Sequence, residues 1–147
     1  MQNNPIGIFD SGIGGLTIAH ALKEKLPNEN IIYFGDTTHL PYGEKSEIAI
    51  QGFSKKITQF LIEKKCKAIV IACNSVSSVA LQSVKEMGKN IPVFNVITPV
   101  VTKMTQKCSE FNIGVIGTKA TIQSNIYERA IKAICPIAKV SSLATPL

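Results

Sequence analysis

Of the four cysteines, at positions 66, 73, 108 and 135, one has neighbours suited to chemistry. The stretch Ala72-Cys73-Asn74-Ser75 closes an apolar run and leads into a helix-period segment that begins near Ser77. A thiol at that junction faces helix-terminal amides that favour its thiolate. Asn74 offers a donor, and Ser75 a hydroxyl, for a carboxylate. Cys66, Cys108 and Cys135 lack such surroundings and read as small buried hydrophobes. None of the four stands in a C-x-x-C pair or near a histidine at zinc-ligand spacing, so no metal site is expected.

Two further polar stretches follow apolar runs. Asp10-Ser11-Gly12-Ile13-Gly14-Gly15 resembles a dinucleotide fingerprint, but G-x-G-x-x-G would need glycine where Thr17 stands. The glycines instead let the backbone turn tightly into a helix whose first amides hold an anion. Asp10 or Ser11 serving simply as a helix N-cap is the alternative. The second stretch, Gly35-Asp36-Thr37-Thr38-His39-Leu40-Pro41-Tyr42-Gly43, is long for a connection, which suits a binding role as well as a linking one. His39 alone is a weak catalytic candidate.

The elements that must position these residues are legible in the periodicity. Short β-branched runs at Ile6 to Phe9, Ile31 to Phe34, Ala68 to Ala72, Val93 to Val96 and Ile113 to Ile116 read as strands. Between them, Leu16 to Leu26, Ser46 to Lys65, Ser77 to Met87, Val100 to Lys107 and Thr121 to Ile134 carry apolar residues at helical spacing. A weaker strand starts near Ala138. Alternating β and α segments predict an α/β fold, a parallel sheet flanked by helices, with near-continuous apolar strands covered on both faces. Ligands of such sheets bind beyond the carboxyl ends of the strands, which is where the polar stretches fall. A faint echo between Ile6-Gly7-Ile8-Phe9-Asp10-Ser11 and Ile113-Gly114-Val115-Ile116-Gly117-Thr118 fits two similar lobes, or chance likeness of two buried strands.

Composition narrows the class. With 147 residues, 45% hydrophobic and 18% charged, the chain reads as globular. The net charge of +6 raises a nucleic-acid reading, but the lysines are spread over several helices without interleaved aromatics, so no nucleic acid is expected. Apolar runs such as Ala68 to Cys73 are too short to span a membrane. The polar start Met1-Gln2-Asn3-Asn4-Pro5 carries no visible secretion signal, so four reduced thiols in a cytoplasmic protein are expected.

Taken together, Ile8 through Thr17, Tyr33-Phe34-Gly35-Asp36-Thr37 with Pro41-Tyr42-Gly43, Ala72-Cys73-Asn74-Ser75, and Ile113 through Thr118 with Ala120-Thr121 resemble the glutamate racemases of the aspartate/glutamate racemase superfamily. The likeness runs the length of the chain. It implies a two-lobed fold, with residues 1–97 as the first α/β lobe and 98–147 as the incomplete start of the second. It implies racemisation of free glutamate by two cysteines on opposite faces of the α-carbon, supplying D-glutamate for peptidoglycan, with no cofactor and no metal. By matched position Cys73 is one base and Asp10 assists proton transfer on its side. Ser11, Pro41, Tyr42, Gly43, Asn74, Ser75, Thr118 and Thr121 then hold the substrate. A homodimer is among the arrangements the resemblance allows.

The chain departs from the family at Ser75, where threonine is usual, and at Ser142, where relatives often carry cysteine. The family's second catalytic cysteine, in a Cys-Thr-His motif, is absent, so the chain reads as ending before it. Three rivals follow: a glutamate-binding module without chemistry, a superfamily enzyme using Cys73 alone, and a nucleotide-binding domain, which Thr17 argues against.

Overall fold

The computed structural model describes residues 3–107 and 112–145. Strands β1 (Ile6–Asp10), β2 (Ile31–Gly35), β3 (Ala68–Ile71) and β4 (Val93–Asn95) form one sheet in the order β2-β1-β3-β4, and every pairing in it is parallel. The connecting helices are α1 (Leu16–Lys25), α2 (Glu47–Glu63), α3 (Asn74–Val79) and α4 (Leu81–Gly88). Helix α5 (Ile97–Met104) leads to a second parallel sheet of two strands, β5 (Asn112–Gly117) and β6 (Lys139–Ala144), joined through α6 (Lys119–Gln123) and α7 (Ile126–Ile134). The predicted parallel α/β sheet and the weaker last strand are therefore both present.

Strand parity divides the first sheet's two faces. Phe9, Ile69 and Ile71 join Ile50, Ile57 and Leu61 of α2 and Val76 and Val84 of α3 and α4 in one core. Ile6 and Ile8 point the other way, to Ile18 and Leu22 of α1. Each fully buried isoleucine contributes roughly 1.5–3 kcal/mol by leaving water. Coverage is less even than the apolar runs predict: β1 is buried throughout, whereas β2 is half-buried and β6 is mostly exposed. Beside α1, a cavity of about 640 Å³ lined by Ile6, Leu22, Val70, Phe94 and Val100 remains open on the sheet.

Three helices differ from their predicted spans. The segment expected from Ser77 starts at Asn74 and breaks at Ala80 (φ −121°, ψ 0°), within a Val/Ser run of weak helix formers. The segment expected from Val100 starts at Ile97, because Asn95 Oδ1 accepts from the amides of Ile97 and Thr98 and Pro99 is tolerated in a first turn. The segment expected from Thr121 starts at Lys119, with the Thr118 hydroxyl accepting from Thr121 N. It breaks at Asn125, whose φ of 54° is a left-handed conformation that asparagine tolerates.

Candidate active site

The strand order reverses direction at β1: the chain goes first to β2 on one side, then to β3 and β4 on the other. At such a switch point the loops leaving β1 and β3 diverge and open a crevice. A cavity of about 530 Å³ occupies it. It is lined by Asp10 to Gly15 after β1, Leu40 to Gly43 after β2, Ala72 to Ser75 after β3, Val96 after β4 and Thr118 after β5.

Register explains which side chains meet. Phe9 pairs with Ile71, and the ladder continues with Ala72 N donating to Phe9 O, so two residues further on Ser11 stands opposite Cys73. Cys73 Sγ donates to Ser11 Oγ at 3.3 Å. Burial raises the Cys73 thiol above its ordinary pKa, and the nearby Asp10 charge adds to the rise. Hydrogen bonds from Ser11 and from the Val76 amide pull the other way. The expected helix-favoured thiolate is thus corrected: α3 is only six residues long, and desolvation of a thiol 6% exposed outweighs its amides.

Asp10 is buried on the α1 face. Its Oδ2 accepts from Gly15 N at 2.8 Å, so the anion held by this turn is the chain's own carboxylate. Gly15 is required there, since a Cβ would lie 2.7 Å from Asp10 Cβ and 2.8 Å from Ala72 Cβ. Tyr33, one strand over on the same face, donates to Gly12 O at 3.1 Å. Burial and the Asp10 carboxylate push its phenol up to about 12.

The loop after β2 is anchored by a buried carboxylate. Asp36 accepts from Tyr42 Oη at 2.6 Å and pairs with His39 Nδ1 at 2.7 Å, while the His39 ring stacks on Phe53 at 4.1 Å. Burial disfavours the Asp36 charge, but the Tyr42 and His39 hydrogen bonds and the His39 charge hold the carboxyl below its usual value. His39 is therefore engaged with Asp36 and does not line the crevice. The anchor fixes Tyr42, fully buried, at the crevice wall with Pro41 and Gly43.

The far wall comes from the second sheet. Thr118 Oγ1 lies 2.9 Å from Ser75 Oγ and donates to Thr121 Oγ1 at 3.1 Å. Gly43 packs so closely on Thr118 that an added Cβ would sit 2.5 Å from Thr118 Cβ. Thr121 is buried behind Thr118 and lines an adjacent cavity, not the crevice itself. Asn74 reaches across to α7, accepting from Tyr127 Oη at 2.7 Å.

Nine of the ten sequence-predicted site residues, all but Thr121, thus line one crevice. Tyr33, Asp36 and Tyr127 carried no predicted role. Tyr33 shares β-strand parity with Asp10, a signal present in the sequence, whereas the partners of Asp36 and Tyr127 are set by loop and seam geometry. Among the described residues no three His, Cys, Asp or Glu side chains cluster to hold a metal ion. Cys66 and Cys73 are free thiols, as expected; Cys108 lies outside the described residues. A thiol, a carboxylate, hydroxyls and an amide around one open volume suit proton transfer to and from a small, multiply charged ligand.

The sequence profile of the Asp/Glu/Hydantoin racemase family matches residues 16–144. The glutamate racemase of Neisseria meningitidis serogroup B is 47% identical over 146 residues, covering 99% of this chain and 54% of the relative. The crystal structure of glutamate racemase from Francisella tularensis in complex with D-glutamate superposes with a TM-score of 0.91 at 48% identity, covering 97% of this chain and 53% of that one. A Bacillus anthracis glutamate racemase isoform superposes with a TM-score of 0.93 at 40% identity, over 99% of this chain and 55% of that one. The chain spans about half the length of the relatives it matches. No helix among the described residues is long and apolar enough to cross a membrane.

Proposed function

The chain belongs to the Asp/Glu/Hydantoin racemase family, and from that premise we propose that it serves the racemisation of glutamate without a cofactor, with Cys73 as one of two thiol bases. The observation that carries this reading is the Cys73 Sγ to Ser11 Oγ contact of 3.3 Å beside the buried Asp10, in a crevice large enough for an amino acid. In the mechanism, Cys73 takes or returns the α-proton on one face, and Asp10 assists that transfer. Ser11, Asn74, Ser75, Thr118 and the Pro41-Tyr42-Gly43 segment hold the ammonium and carboxylates, and Thr121 fixes the Thr118 hydroxyl.

The energetics fit this crowd of polar groups. Turnover near ~1 s⁻¹ needs a barrier of roughly 17 kcal/mol, which for a weakly acidic α-proton demands stabilisation of the developing negative charge. The raised pKa of Cys73 makes its thiolate scarcer but a stronger base once formed, and the ligand's ammonium offsets part of that cost.

Inversion requires delivery of a proton to the opposite face. Cys73 is the thiol that lines the crevice among the described residues, and the proposal assigns the opposite face to a second thiol in the Cys-Thr-His segment that the family resemblance implies. Residues 1–97 then act as a first lobe and 98–147 as the start of a second. The enzyme works in the cytoplasm, supplies D-glutamate for peptidoglycan, and has a homodimer as its candidate assembly.

Incubating L- and D-glutamate separately with the 147-residue chain in heavy water tests the assignment, with α-deuteration read by NMR and configuration by chiral chromatography. Exchange confined to one enantiomer, without inversion and lost in Cys73→Ala, is expected. Exchange that persists in Cys73→Ala overturns the role of Cys73. Robust inversion by these residues alone overturns the claim that the second base lies elsewhere.

A further inference from the structure

We infer that Tyr127 is a positioning residue for this site, acting through Asn74: its hydroxyl holds Asn74 Oδ1 and thereby turns the amide's N–H groups toward the ligand. The inference rests on the proposed reading of Asn74 as a ligand-binding residue. Asn74 is the first residue of α3 and is exposed. It borders three cavities: the crevice, the apolar cavity beside α1, and the cavity behind Thr118.

An asparagine amide so placed has two orientations of similar shape and opposite hydrogen-bond polarity. One presents two donors to a carboxylate; the other presents an oxygen that repels it. Tyr127 selects between them, since its Oη donates to Asn74 Oδ1 at 2.7 Å across 53 residues of sequence. That leaves Nδ2 for the crevice.

The phenol is a dependable donor. It sits in the first turn of α7, half-buried, packed against the core that contains Ile131 one turn later. Burial raises its pKa, so it stays protonated at neutral pH. Tyr127 does not line the crevice, so its effect on a ligand passes through Asn74. The seam between the two sheets has separate support from the Ser75–Thr118 pair, so Tyr127→Phe keeps the packing and loses only the hydroxyl.

The test uses the full chain as wild type, Tyr127→Phe, Asn74→Ala and the double variant, with D- and L-glutamate affinity measured by calorimetry and the Asn74 side-chain amide followed by NMR. Loss of one hydrogen bond's worth of orientation weakens glutamate binding about five- to tenfold in Tyr127→Phe. The same change does nothing in the Asn74→Ala background. The Asn74 amide signals shift and broaden in Tyr127→Phe while the thermal midpoint holds. Unchanged Asn74 amide signals in Tyr127→Phe overturn the inference whether or not glutamate binds. An equal loss of affinity in both backgrounds also overturns it, as a merely structural role. If Asn74→Ala weakens binding and Tyr127→Phe does not, the inference falls while the proposed ligand role of Asn74 stands; if Asn74→Ala binds glutamate as wild type, that role falls and takes the inference with it.

Discussion

Cys73 Sγ and Ser11 Oγ, 62 residues apart in sequence, stand 3.3 Å apart because the parallel register of β1 on β3 brings the first residue after one strand opposite the second residue after the other. Once the thiol ionises, the Ser11 hydroxyl donates to the thiolate, which lowers the thiol's pKa against the larger upward effect of burial. Ser11→Ala is therefore expected to raise it further. Alkylation of Cys73 in the wild type follows a pH profile with a midpoint above the ordinary 9.0, and Ser11→Ala moves that midpoint higher. Cys66, packed against Leu61 beneath Gly7, reacts more slowly although it too is a free thiol, because it is buried and does not line the crevice. Glutamate protects Cys73 alone. Mass mapping that finds Cys66 reacting first, or a profile unmoved by Ser11→Ala, contradicts this account.

Asp36 should make the fold acid-sensitive. Its folded-state pKa lies below the ordinary 3.8, so its contribution to stability is fully present above that value and is lost as pH falls through the lower, folded-state pKa. Asp36→Asn removes a charged acceptor from Tyr42 and sets an amide against the His39 ring. A loss of about 1.5–3 kcal/mol at neutral pH is expected, the range for a hydrogen bond to a charged group. Below about pH 4 the wild-type advantage shrinks toward zero. Denaturant titrations of both proteins across that range measure it, and a constant difference down to the most acid pH speaks against the linkage.

Gly43→Ala places a methyl 2.5 Å from Thr118 Cβ, and Thr118 is itself held by Ser75 and Thr121, so neither side yields easily. The cost is about 1–3 kcal/mol, as for overpacking in a well-packed core. Because the strain falls on the wall of the crevice, glutamate affinity drops along with the thermal midpoint. A variant as stable as wild type would mean that the contact between the two walls is loose.

The second sheet presents apolar side chains to water: Ile116 is 72% and Leu143 61% exposed. Apolar surface of this kind binds hydrophobic dyes and promotes association. The 147-residue chain is expected to enhance the fluorescence of such a dye and to gain mass with concentration in sedimentation. A dye-silent monomer at all concentrations refutes the prediction.

Much of the fold was decided locally. The β-branched runs and helical periodicities determined five strands, the α/β class and the positions of Cys73, Asp10 and the Tyr42 loop, because backbone propensity and burial pattern are properties of neighbouring residues. Parity along β1 was enough to send Ile6 and Ile8 to one face and Phe9 to the other. The helix breaks at Ala80 and Asn125 were not legible, since an apolar period continues through a residue whose backbone has left the helix.

What only the tertiary structure decided is which groups meet and what each meeting does to their chemistry. Strand order and register bring Ser11 to Cys73. Loop packing gives Asp36 both Tyr42 and His39, and the docking of α7 brings Tyr127 to Asn74. The direction of the Cys73 shift belongs here as well. A motif can place a thiol beside helix amides, but whether the thiolate is favoured depends on the water it has lost, and desolvation is the sum of every atom packed around the group, most of them distant in sequence.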